Sequence, residues 1–286
     1  MTDVRNKREA DVSDSGPVEV GMCTATLLQD PMKCGADDFA SCVAATEGAG
    51  FTSISVWPFH TDAIGMDRAE GLLADAGIQV RSVEAATGWT EAPPAVIRDA
   101  AAPLLAFAGR FGADILVAVK LDLGLESIGR AAEGFSTLCG FAAEQGIRVC
   151  LEFLPWTGIP DISTAWQIVE QSGAPNGGIL LDTWHWTRQP GGPNPGVLRQ
   201  IPGERIHYVQ VSDTSPDAGR ELIVETMTDR RLPGTGATDI PAVFATLNDI
   251  GAQPFVAAEV FSSSLAATGP SAMAKAVRAA CDATLA

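Results

Sequence analysis

The chain has 286 residues, 46% of them hydrophobic, and 35 acidic against 19 basic residues for a net charge of −16. That apolar share supports a substantial core, while the negative balance repels phosphate backbones and argues against a nucleic-acid partner. Six scattered cysteines without a C-x-x-C pair and no apolar run of about 18 residues exclude a disulfide scaffold and a membrane span.

Residues 1–17 are charged, lack apolar periodicity and close on Gly-Pro, the pattern of a loose N-terminal arm. They also lack the apolar stretch of a signal peptide, so a reducing, cytoplasmic setting is expected. Residues 18–286 form the expected folded domain. VEVGMCTATL (18–27) reads as a first strand followed by a helix at 36–48. FTSISVW (51–57) with 66–76, IQVRSVEA (78–85) with 95–111, and DILVAVKL (114–121) with 125–145 are the next three pairs. RVCLEFL (148–154) with 161–172 and GILLDTW (178–184) with 194–200 follow. RIHYVQVSD (205–213) with 239–250 and FVAAEVF (255–261) with 266–284 complete the chain. Eight βα units predict a (β/α)₈ barrel, a single α/β domain. A doubly wound sheet is the rival, but no G-x-G-x-x-G follows the first strand.

Chemistry in such a barrel gathers where strands end. Strand five ends in Glu152, six in Asp182 and eight in Glu259, while seven offers His207, Gln210 and Asp213. Side chains alternate along a strand, so a Gln210 that looks into the mouth turns His207 toward the helices. Crowded carboxylates raise one another's pKa unless a cation sits among them. Glu152, Asp182, Gln210 and Glu259 form an all-oxygen set that suits one divalent ion, Mn²⁺ or Mg²⁺ ahead of Co²⁺ or Zn²⁺. Four separate strand-end residues paired with arginines are the bland alternative.

The succession CLEF, LLDTWH, VQVSD, LPGTGATDI and AAEVFS resembles the xylose isomerase-like barrel superfamily of sugar isomerases, epimerases and related lyases. A looser likeness runs through ISVWPFHTDAIGMDRAEGLLADAGIQVRSV in the first half. The resemblance implies the same four ligands, with Gln210 where histidine is commoner. Dehydratases of this superfamily acting on dehydroshikimate resemble the chain in that glutamine, but carry a histidine two residues after the first ligand, where Leu154 stands here. By the same resemblance, Asp182-x-x-His185 turns His185 back over the metal as an oxygen-binding or proton-handling group. By the same resemblance, Glu152 and Glu259 inherit opposite faces of the substrate carbon, with the acid and base roles open between them. The superfamily's multi-zinc endonuclease needs more histidines than His60, His185 and His207.

Such a site abstracts the proton beside a carbonyl. Reprotonation gives isomerisation or epimerisation, and loss of a β-group gives a lyase or dehydratase. A barrel that binds without catalysis is the third alternative. Lys120, ending strand four, is a candidate second electrostatic group; Arg230 and Arg231, in the loop 213–238, are candidates for a substrate carboxylate or phosphate. Trp57, Phe59, Trp89, Trp156, Trp184 and Trp186 follow or flank strand ends and make the mouth apolar for a sugar site. Trp57, His60, Trp156, Trp184 and Arg231 are the candidate substrate contacts. The expected partner is a small molecule, a keto-sugar, cyclic keto compound or aryl glycoside derivative. Related barrels pair through their helical faces, which makes a homodimer the assembly to test.

Overall fold

The β-branched runs between glycines form strands, and the computed structural model describes them over residues 18–217, 219 and 221–286. They are β1 (Val20–Cys23), β2 (Ser53–Val56), β3 (Gln79–Ala86), β4 (Ile115–Ala118), β5 (Arg148–Glu152), β6 (Gly177–Asp182), β7 (Ile206–Val211) and β8 (Phe255–Ala258). All neighbours are parallel, and β1 pairs with β8 to close the barrel. The N-terminal arm expected at 1–17 lies outside the described residues.

The helices are α1 (Ala36–Gly48), α2 (Met66–Asp75), α3 (Pro94–Phe111), α4 (Ile128–Ala143), α5 (Ile162–Ser172) and α6 (Thr183–Arg188). After them come α7 (Pro195–Leu198), α8 (Leu222–Thr228), α9 (Ile240–Asp249), α10 (Ser263–Ala266) and α11 (Pro270–Leu285). Local chemistry sets several starts. Ser127, Asp161, Asn194 and Asp239 each accept a backbone N–H from the first turn of α4, α5, α7 and α9, meeting donors a helix N-terminus leaves unpaired. Among the described residues no helix is long and apolar enough to cross a membrane.

Parallel strands covered outside by helices must be apolar on both faces. The outer layer joins strands to helices through residues such as Val149, Ile179, Phe135 and Ile168. The interior is plugged by Ile115, Val117, Cys150, Leu180, Tyr208 and Phe255, the last two rings stacked at 5.0 Å. This plug makes the barrel a core rather than a pore and leaves polar side chains room only near the strand ends.

Three details depart from the sequence expectation. The sixth strand stops at Asp182 and α6 begins at once, so Trp184 is helical. The loop 213–238 contains α8. Pairing of β6 with β7 shifts register between Ile179 and Leu180, which breaks the alternation on which the outward turn of His207 rested. Its ring lies over Gly178, where an added Cβ would stand 2.6 Å from it.

Candidate active site

Asp182 does two jobs because it ends a strand and starts a helix. Its Oδ1 accepts from the backbone N–H of Trp184 at 2.6 Å and of His185 at 3.0 Å. Its Oδ2 accepts from Arg230 Nη1 at 2.6 Å. Burial pushes the carboxyl up, but the Arg230 charge and the hydrogen bonds from Arg230 and the His185 backbone outweigh it and hold Asp182 below its usual range. The turn of α6 brings His185 Nε2 to 3.2 Å from Glu152 Oε1 and 4.0 Å from Asp182 Oδ2. Burial takes the His185 ring down to about 3, so at neutral pH it is uncharged. Its Nδ1 is buried without a partner.

Arg230 reaches the barrel axis because the loop carrying it is stitched at both ends. Antiparallel bridges join Asp213 to Arg231 and Asp229 to Ser262, and Arg230 N–H donates to Phe261 O at 2.9 Å. The Asp213 carboxylate accepts from the N–H of Thr214 (2.8 Å), Gly236 (2.9 Å) and Thr238 (2.8 Å), which fixes the far side of the loop. The guanidinium is 2% exposed. Nε and Nη2 donate to Thr226, while Nη1 spans Asp182 and Glu259, 3.2 Å from Glu259 Oε2.

Glu84, at the end of β3, is a fourth buried carboxylate. Ser55 Oγ, Trp57 Nε1 (3.3 Å) and Tyr208 OH (3.2 Å) donate to it. Gln210 Nε2 lies 3.2 Å from both Glu84 oxygens and 2.9 Å from Glu259 Oε1. Three carboxylate contacts require the amide nitrogen on that side, which turns Gln210 Oε1 the other way; it is buried with no partner. Burial first, and then neighbouring carboxylates, raise Glu152 and Glu259 well above the usual range.

These features decide whether the residues suit a cation. Glu84, Glu152, Asp182 and Glu259 are four buried carboxyl groups around the buried guanidinium of Arg230, so three of them (four minus one) lack a cationic partner, and burial favours their protonated form until a cation joins them. Ligand atoms of Glu152, Asp182 and His185 lie within 4.8 Å of one another, as do those of Cys23, Glu84 and Glu259. The first of these groups suits a divalent ion; Glu259 falls in the second, and Gln210 turns its amide nitrogen to Glu259, with its carbonyl oxygen buried and unpaired.

Above the carboxylates opens a cavity of about 580 Å³. Glu152, His185, Arg230, Glu259, Trp57 and Trp156 line it, as does Glu84, which the strand-end search passed over. Other expected contacts lie elsewhere. His60 is buried behind Trp57, its ring stacked at 5.4 Å and held by Thr24 Oγ1 and Pro31 O. Trp184 is buried beneath Trp156 and the Arg230 guanidinium. Lys120 Nζ is taken by Asp122 at 2.7 Å, with Thr90 Oγ1 at 3.5 Å. Arg231 turns outward to Asp229 at 3.6 Å, its side chain 47% exposed. Of the two adjacent arginines, Arg230 enters the site.

A closed eight-stranded barrel with carboxylates gathered at its C-terminal mouth defines a class of enzyme-like barrel. The family described as Xylose isomerase-like TIM barrel matches residues 43–283, and the chain belongs to it. It is 29% identical over 145 residues to the inosose isomerase of Bacillus licheniformis, covering 50% of this chain and 49% of that protein. It is 28% identical over 122 residues to the 3-dehydroshikimate dehydratase of Pseudomonas putida, covering 42% of this chain and 19% of that one. The match thus spans about half or less of these curated relatives. Among solved structures, the IolI protein with a bound zinc atom superposes with a TM-score of 0.80 at 19% identity, covering 94% of this chain and 98% of that one. The D-allulose 3-epimerase of Methylomonas sp. gives 0.70 at 20% identity, covering 91% and 96%. At such identities the likeness is one of fold.

Proposed function

We propose that this barrel is a divalent-metal-dependent isomerase or epimerase that moves a proton at the carbon beside a carbonyl in a sugar-like substrate. The observation that carries the reading is the set of four buried carboxyl groups around one guanidinium, with Gln210 beside them holding its amide nitrogen to two of them and its carbonyl unpaired. Glu152, Asp182, Gln210 and Glu259 would hold the ion, which when bound would polarise a substrate oxygen and acidify the neighbouring C–H.

The chain's own groups account for the rest. Glu152 and Glu259 come from the ends of different strands, and burial raises both well above the usual carboxylate range, which favours groups that take and return protons. The neutral His185 ring, 3.2 Å from Glu152 Oε1, can orient that carboxyl or bind a substrate oxygen. Arg230 supplies fixed positive charge for the oxygen that becomes negative as the proton leaves. Trp57 and Trp156 cover the cavity and keep water from the carbanion.

Elimination is the second reading, favoured by the match to a dehydratase and by Gln210 in place of the commoner histidine. Incubating metal-loaded protein in D₂O with keto-sugars and inososes, followed by mass spectrometry, separates the outcomes. Deuterium gained without loss of water is expected; loss of water selects the lyase. Glu152→Gln and Glu259→Gln should each slow exchange about a hundredfold or more. Metal-loaded protein that exchanges no member of the panel contradicts both readings.

A further inference from the structure

The mouth has a polar floor and an apolar wall, and the wall continues out to the rim. Met32, Phe59, Leu121 and Ile223 are 60%, 38%, 64% and 39% exposed and all line the same cavity. They come from four loops, after β1, β2, β4 and β7. They make up half of the eight large apolar side chains exposed among the described residues. Soluble proteins seldom gather exposed apolar side chains without a ligand or partner to cover them. Inside the rim, Leu154, Trp156, Met227 and Phe261 carry the apolar surface down to the carboxylates.

Two polar groups in the wall are already spent, which leaves Asp62 and Thr87 as its remaining polar side chains. Trp57 Nε1 donates to Glu84 and Thr226 Oγ1 accepts from Arg230. A free sugar, hydroxylated all round, would set hydroxyls against a surface that offers them few partners, which is unfavourable. The volume of about 580 Å³ lies in the range of pockets that take drug-sized ligands.

Resting on the proton-transfer reading of the floor, we propose that the substrate is amphiphilic: a hydroxy-carbonyl head on the carboxylates, joined to an apolar ring or chain that covers the wall and rim. The wall is continuous with the reacting floor, so one molecule spans both.

The test compares two probes with the same head, dihydroxyacetone and 1-hydroxy-4-phenylbutan-2-one. Binding is read by calorimetry with and without Mn²⁺, and exchange of the C–H beside the carbonyl is read in D₂O. The phenyl compound should bind about tenfold more tightly or better. That ratio should fall in Leu121→Asp/Ile223→Asp and persist in Val96→Asp, which alters an exposed apolar residue of α3. Equal binding of the two probes, or a ratio unmoved by the rim variant, overturns the amphiphilic substrate even if both probes exchange. A rim variant that changes the oligomeric state and leaves the ratio alone also overturns it, and makes the rim an interface between copies. A preserved binding ratio without exchange of either probe supports the wall and counts against the proton-transfer reading instead.

Discussion

At the scale of single residues, the mouth is organised by which oxygens are already taken. Asp182 gives one oxygen to the start of α6 and the other to Arg230. Glu84 spends both of its oxygens on Ser55, Trp57, Tyr208 and the Gln210 amide nitrogen. An amide ligand works only with its oxygen toward the ion, and Glu84, with Glu259, holds the nitrogen on the other side. Glu84→Leu should therefore weaken Mn²⁺ binding about tenfold to a hundredfold, as for other residues that orient ligands, measured by calorimetry. Unchanged affinity would show that Gln210 needs no such restraint. The strand-end rule, applied to strands five to eight, passes over Glu84, although it stands two residues after Ser82 on one face of β3, as Gln210 does after Tyr208 on β7. Arg230 and Arg231 are adjacent and chemically identical, and only the bridge pairing of 229 and 231 decides which one points inward. His60 and Trp184 sit near strand ends as expected, but their partners lie in distant loops, which sequence spacing does not disclose, whereas Lys120 is taken by Asp122 two residues on.

At the scale of elements, eight βα units were legible because strand and helix periodicities alternate and glycines punctuate them, and the barrel follows from that count. The loop between β7 and α9 was not legible, because its order comes from backbone bridges and from one clamping carboxylate rather than from periodicity. Gly236 sits where that clamp closes. A Cβ there would lie 2.1 Å from Thr214 O and 2.6 Å from Asp213 Oδ1, too close for any rotamer to relieve. Gly236→Ala should cost roughly 1–3 kcal/mol in urea denaturation, the range for an overpacked site. It should also lower affinity for substrate, because the same loop delivers Arg230. Wild-type stability in this variant would mean the loop carries no strain at its clamp.

Across the whole molecule, buried histidines make stability depend on pH. Burial first, then the Arg148 charge, draws His207 down to about 4, against about 6.5 in an unfolded chain. Between those values the unfolded chain binds a proton that the folded chain refuses. Stability from the neutral ring is therefore complete above about 6.5 and is lost as pH falls toward about 4. His207→Gln should flatten the fall of Tm across that window, and parallel wild-type and variant profiles would refute the assignment. The same balance governs the mouth, where raised carboxylates hold protons until a cation displaces them. Anomalous diffraction from crystals soaked in Mn²⁺ tests this most directly. One peak bounded by Glu152, Asp182, Gln210 and Glu259 is predicted. Saturating Mn²⁺ that leaves no peak there, with Arg230 still spanning Asp182 and Glu259, would contradict the account.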